Sequence, residues 1–208
     1  MDSLSKTANR DLMAQARESL RGQWGLAIGA FVVVQIIFLA SQFVPYIGRI
    51  GFYVIAGPME LGLAIFALAL SRGQYPRLPQ IFEGFQKFGV ALGAYLLMLL
   101  FVCLWLLLLI IPGIIAAYAY SQTYYIIAED PAVGPLQAIR KSKEMMRGNK
   151  WKLFCLSLRF IGWALLCILT FGIGFLWLAP YMLISFAKFY DDVAHPAVEP
   201  VAFEPAQA

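Results

Sequence analysis

The chain is poor in charge, and poorer still in the side chains that catalysis and metal binding use. Only 13% of its 208 residues are charged, it has one histidine, His195, and its three cysteines, Cys103, Cys155 and Cys167, stand apart within apolar stretches. A soluble domain of this length carries roughly twice that charged fraction, so a water-facing globule is excluded. Isolated thiols in apolar surroundings act as small hydrophobes, and their spacing offers neither a disulfide framework nor a zinc site. His195 has no ligand partner near it in sequence, so no metal and no cofactor are expected. The N-terminus lacks a basic patch followed by a short apolar core and a small-residue cleavage site, so no removable signal peptide is read there.

What the chain has instead is apolar length. Hydrophobic residues make up 61% of it and aromatics 15%, and mean hydropathy is +0.73. Residues 89–128 carry no charge at all, with Pro112-Gly113 in their middle. As one straight helix this stretch would run about 60 Å, twice the hydrocarbon core of about 30 Å, so it must reverse direction. Windows of about twenty residues give six spans, at 24–43, 50–70, 89–111, 113–128, 151–171 and 173–190. The expected fold is therefore all-α: a polytopic membrane protein whose six transmembrane helices form three hairpins within a single domain, 1–190. Pro58, Pro112 with Gly113, and Pro180 fall in or at the even-numbered spans, where they are expected to bend or break the helix. Residues 191–208 are acidic and Pro-rich, and read as a flexible tail.

A polar, amphipathic segment precedes each pair of spans. Leu12, Ala16 and Leu20 share one face of the first, opposite Arg10, Arg17 and Arg21. The second places Ile81, Phe82, Phe85 and Phe88 against Glu83, Gln86 and Lys87. In the third, Leu136, Ile139, Ser142 and Met146 oppose Arg140, Lys141 and Arg147. Such helices lie flat at the membrane surface, apolar side down. Their recurrence suggests a threefold repeat, with Gly22-Gln-Trp24 echoing Gly148-Asn-Lys-Trp151. The basic residues cluster around these three segments, whereas the connections on the opposite side hold only Arg49. By the positive-inside rule both termini and all three segments face the cytoplasm.

A family resemblance is carried by Leu104-Trp105, by residues 111–115 (Ile-Pro-Gly-Ile-Ile) and 118–121 (Tyr-Ala-Tyr-Ser), and by 138–148, which include Ser-Lys-Glu-Met-Met-Arg-Gly. Leu153-Phe154, Phe160-Ile161-Gly162-Trp163 and Pro180-Tyr181 complete it. In this order and spacing the chain resembles the bacterial integral membrane proteins grouped as domain of unknown function 975. It is more distantly similar to the membrane domain of some glycerophosphodiester phosphodiesterases. The resemblance runs from the first amphipathic segment to Tyr190, and implies a polytopic helical protein of the bacterial inner membrane without an established activity. Arg159 departs from the pattern, at a position where a small or apolar residue is expected.

Glu60, ten residues into the second span, is the sharpest candidate for chemistry, because a carboxylate at that depth is costly and marks a functional site by default. Against that stands a carboxyl that stays protonated, or that bonds a freed carbonyl at the Pro58 kink or a neighbouring helix. Arg159 either snorkels back to the cytoplasmic surface or pairs with Glu60. Tyr118, Gln122 and Tyr125 share a face of the fourth span, suited to a headgroup or to interhelical hydrogen bonds. Arg140, Lys141, Lys143, Arg147 and Lys150 are candidates for lipid headgroups, or a topological anchor only. Nucleic acid is not an expected partner, since that basic loop is short and adjoins the membrane. With one acid and no histidine in the spans, an enzyme is not expected. The reading is a non-enzymatic membrane protein that binds lipid or another amphiphile, or scaffolds a membrane partner or a second copy of itself. The alternative is a transporter or channel, including export of, or self-protection against, a membrane-active peptide.

Overall fold

The structure is a computed structural model that describes residues 5, 7–43, 47–170 and 172–196. The tail from residue 197 onward and the side chain of Arg49 lie outside the described residues. Among those described, every regular element is helical: α1 (Asn9–Ser19), α2 (Trp24–Gln42), α3 (Ile47–Ser71), a 3-10 helix (Leu78–Lys87), α4 (Phe88–Leu108), α5 (Ile110–Tyr120), α6 (Thr123–Glu129), α7 (Pro135–Met145), α8 (Lys150–Leu169) and α9 (Phe175–Ala194). Four helical stretches, Trp24–Gln42, Gly51–Ser71, Leu78–Leu108 and Lys150–Leu169, are long and apolar enough to cross a membrane. Of their apolar windows, 67% is buried in α3 but only 11–22% in the others, so α3 is the central helix and the rest turn large apolar side chains outward.

Glycine sets how close the neighbours of α3 come. A Cβ on Gly62 would lie 1.8 Å from the Ile81 carbonyl oxygen, one on Gly84 2.0 Å from that of Pro58, and one on Gly57 2.6 Å from that of Ala91. The 3-10 helix and the start of α4 thus pack backbone to backbone on α3, around Pro58 and Glu60. In this second amphipathic segment, with three residues per turn, Ile81 and Gly84 share the line buried against α3, while Phe82, Phe85 and Phe88 are exposed.

The break in the long uncharged stretch also differs from the expected one. Helix α4 ends at Leu108, Leu109 is extended (φ −163°, ψ 145°), and Pro112 lies in the first turn of α5, where a missing N–H costs nothing. Gly113 lets α5 fold back against α4, since a Cβ there would meet Leu106 at 2.4 Å. The uncharged stretch is interrupted a second time within the expected fourth span, at Ser121–Gln122, between α5 and α6. By contrast α3 and α9 run unbroken through Pro58 and Pro180.

Helix α9 continues past Tyr190 to Ala194, so the first residues assigned to a flexible tail are helical. They are held there by charge, as described below. Gly22 and Gly148, the two echoing glycines, adopt the same left-handed backbone (φ 79° and 76°) between α1 and α2 and between α7 and α8. The glycine contact yields a test. Gly84→Ala should cost about 3 kcal/mol or more in detergent-solubilised protein, read as a lowered Tm, whereas Gly89→Ala, with open space around it, should change stability by less than about 1 kcal/mol.

Candidate functional site

Glu60 projects from the middle of α3 into a cavity of about 360 Å³ between α3, the α5–α6 break, α8 and α9. Ala64, Ala117, Leu153, Leu183 and Phe186 make its apolar walls, and Tyr118, Ser121, Gln122, Tyr124, Tyr125 and Ser157 its polar ones. The Glu60 side chain is reached through this opening, and it forms no hydrogen bond or ion pair among the described residues. Two further polar atoms on the cavity wall are buried without a partner, Gln122 Oε1 and the Tyr124 hydroxyl. A buried polar group without a partner is costly, so two such atoms beside the exposed, unpartnered Glu60 side chain mark this cavity as the candidate binding site.

The backbone that carries these groups is held open by hydroxyls. Ser142 of α7, fully buried, donates to the Ala119 carbonyl at 2.8 Å and accepts the Gln122 N–H at 3.2 Å. The Ser121 and Thr123 hydroxyls donate to the carbonyls of Tyr118 and Tyr120. These bonds satisfy the groups that the interruption of α5 and α6 exposes. Of the other side chains of the wall, Ser157 donates to the Leu153 carbonyl, Tyr125 donates to that of Leu183 while stacking on Tyr190, and the Tyr118 ring packs edge-on against Phe154.

Of the five candidates for an intramembrane polar site, Glu60, Tyr118, Gln122 and Tyr125 are brought together. Arg159 is not: it lines a separate hollow with Arg10, Arg17 and Tyr181, so the Glu60–Arg159 pair is absent. The basic run on and after α7 is dispersed. Lys141 pairs with Asp130 at 3.5 Å and, with Arg147, borders a cavity rich in acids, Glu129, Asp130 and Glu144. Lys150 lies over an apolar groove with Ile114 and Trp151, and Arg140 and Lys143 are exposed.

One end of the bundle is closed by a charge network that the sequence reading missed. Arg72, just past α3, bonds Glu129 at 2.6 Å and Asp191 at 2.9 Å, while the Tyr190 hydroxyl donates to Glu129 at 2.5 Å. His195 Nε2 lies 2.9 Å from the same carboxylate, which, ionised, can only accept, so that nitrogen carries the proton. Lys152 pairs with Asp192 at 3.4 Å, and Asn9 donates to the Lys152 carbonyl. His195 therefore has a partner, although 66 residues away in sequence.

Fold and site together define a helical membrane protein with an unpaired carboxylate facing an internal cavity. Residues 99–196 match the family described as protein of unknown function (DUF975). No curated protein and no solved structure matches the chain.

The network makes stability depend on pH. Burial alone would raise Glu129, but the hydrogen bonds from Tyr190, His195 and Arg72 outweigh it and hold the carboxyl at about 2, against an ordinary 4.5. A carboxylate depressed in the folded chain contributes stability that is present above its unfolded value and is lost as pH falls through the folded one. Thermal melting should therefore weaken as pH drops from 4.5 towards 2. Glu129→Gln should flatten that part of the profile and cost about 2 kcal/mol at neutral pH.

Proposed function

We propose that this chain is a non-enzymatic protein of the cytoplasmic membrane that binds an amphiphile in the Glu60 cavity. The observation that carries the reading is the set of acceptors left without partners there: the Glu60 carboxylate and Gln122 Oε1, beside apolar walls. Acceptors without donors call for a ligand that brings an ammonium or another N–H or O–H group, and the walls call for a hydrocarbon chain. The spans hold one acid and no histidine, whereas hydrolysis or phosphoryl transfer draws on paired acids, a metal or an activated nucleophile.

The topology that goes with this function has six crossings in three hairpins, with both termini in the cytoplasm and the polar segments before each pair resting on the inner surface. It is supported by one ring pair joining the two helices of each couple: Phe38 with Phe52, Phe101 with Tyr120 and Phe160 with Tyr181. The length of residues 110–128, about 29 Å of helix, comes close to the thickness of the hydrocarbon core despite its interruption. The charge network gathers the ends of α3, α6 and α9 with the starts of α1 and α8, the side that the basic residues assign to the cytoplasm.

A second reading, transport, draws on the interrupted helix beside Glu60, an arrangement that secondary transporters use at their binding sites. Native mass spectrometry after mild extraction separates the two. The wild-type chain should retain an amphiphile bearing a donor group, and Glu60→Gln should reduce its retention about tenfold. A wild-type chain extracted without any retained amphiphile would contradict the proposal. Flux of a membrane-active peptide in proteoliposomes that falls on Glu60→Gln would favour transport instead.

A further inference from the structure

Away from the Glu60 cavity, three arginines meet at one mouth. Arg10 and Arg17, seven residues apart on one face of α1, and Arg159 of α8 line a hollow of about 570 Å³ together with Trp163 and Tyr181. All three are exposed, and among the described residues none forms an ion pair or donates a hydrogen bond; Arg17 lies over the Tyr181 ring, 5.9 Å from its centroid. Glu18, a nearby carboxylate on the same helix, is taken by Arg21 at 3.3 Å.

A second hollow, of about 310 Å³, shares Arg17, Trp163 and Tyr181 with the first and continues between α8 and α9 to Trp177 and Leu178. Its lining is almost wholly apolar beyond Arg17. The two form one groove with a cationic mouth and a hydrocarbon floor. The Tyr181 hydroxyl donates to the Met13 carbonyl at 3.1 Å, which fixes α1 across the groove's upper end.

Arg159 lies about 14 Å along α8 from Lys150, deep enough that its charge needs a counter-charge. Glu60 does not supply it, because the two line different cavities. Guanidinium groups suit phosphate oxygens, which accept two parallel N–H bonds from each, and a phosphate at this depth belongs to a lipid. We infer that this groove holds an anionic phospholipid, with its phosphate among Arg10, Arg17 and Arg159 and one acyl chain along Trp163 and Trp177. The site is independent of the one at Glu60, and its carboxylate-free mouth selects a headgroup without a compensating ammonium.

The test uses the full chain in phosphatidylcholine vesicles containing a minor fraction of phosphatidylglycerol with brominated acyl chains, which quench nearby tryptophan. Quenching should exceed that from the same fraction of brominated phosphatidylcholine. Apparent affinity should fall about fivefold for each arginine removed, measured on Arg17→Gln and on the combined Arg10→Gln, Arg17→Gln and Arg159→Gln variant. Trp163→Phe should remove part of the signal, and Glu60→Gln should leave it unchanged whether or not the Glu60 proposal holds. Equal quenching by the two brominated lipids would overturn the inference. So would an equal loss when the same charge is removed from α7 by Arg140→Gln, Lys141→Gln and Lys143→Gln, since bulk attraction would then explain the binding.

Discussion

The contact that the rest of the structure depends on is the backbone-to-backbone packing of α3 against the 3-10 helix and the start of α4. Without a hydrophobic force between helices in lipid, packing must come from close approach, and small residues permit it. Gly57, Gly62 and Gly84 supply the room, each within a distance of a carbonyl oxygen that no side chain could share. Because this contact occupies one side of α3 around Pro58, Glu60 is directed to the other side, towards the interrupted helix α5–α6. A costly carboxylate thus faces a cavity rather than a protein partner.

The interruption itself is sustained by Ser142. Its single hydroxyl serves both the last carbonyls of α5 and the first N–H groups after it, so that Gln122 can sit buried at the cavity wall with its side-chain oxygen free. At the other end of α6 the chain is fixed by Glu129, the point where Arg72, Tyr190 and His195 converge. The cavity is therefore framed by two polar anchors, one buried and one near the surface, with mostly apolar packing between them.

Much of this was legible in the sequence. An uncharged run too long for one helix implied a reversal, and the reversal occurs, because Leu109 is extended and Gly113 admits Leu106. Glu60, Tyr118, Gln122 and Tyr125 stood out as polar groups in apolar segments, and they share a cavity. Tyr124 did not stand out with them, because a helix restarted at Thr123 no longer keeps the phase of the turn before it. Glycine carries no hydrophobic signal, so the sequence did not reveal that Gly84 shares with Ile81 the line of the 3-10 helix buried against α3. The Glu129 network joins residues more than fifty positions apart, and local periodicity has nothing to say about such pairs.

The central claim is that Glu60 is left without a protein partner so that a ligand can provide one. A density map of the full chain in nanodiscs of its own membrane lipids tests it most directly. The account predicts elongated density in the cavity, its polar end within hydrogen-bond distance of Glu60 and Gln122. A cavity closed by protein side chains, or Glu60 bonded to a lysine or arginine of the chain, would contradict it.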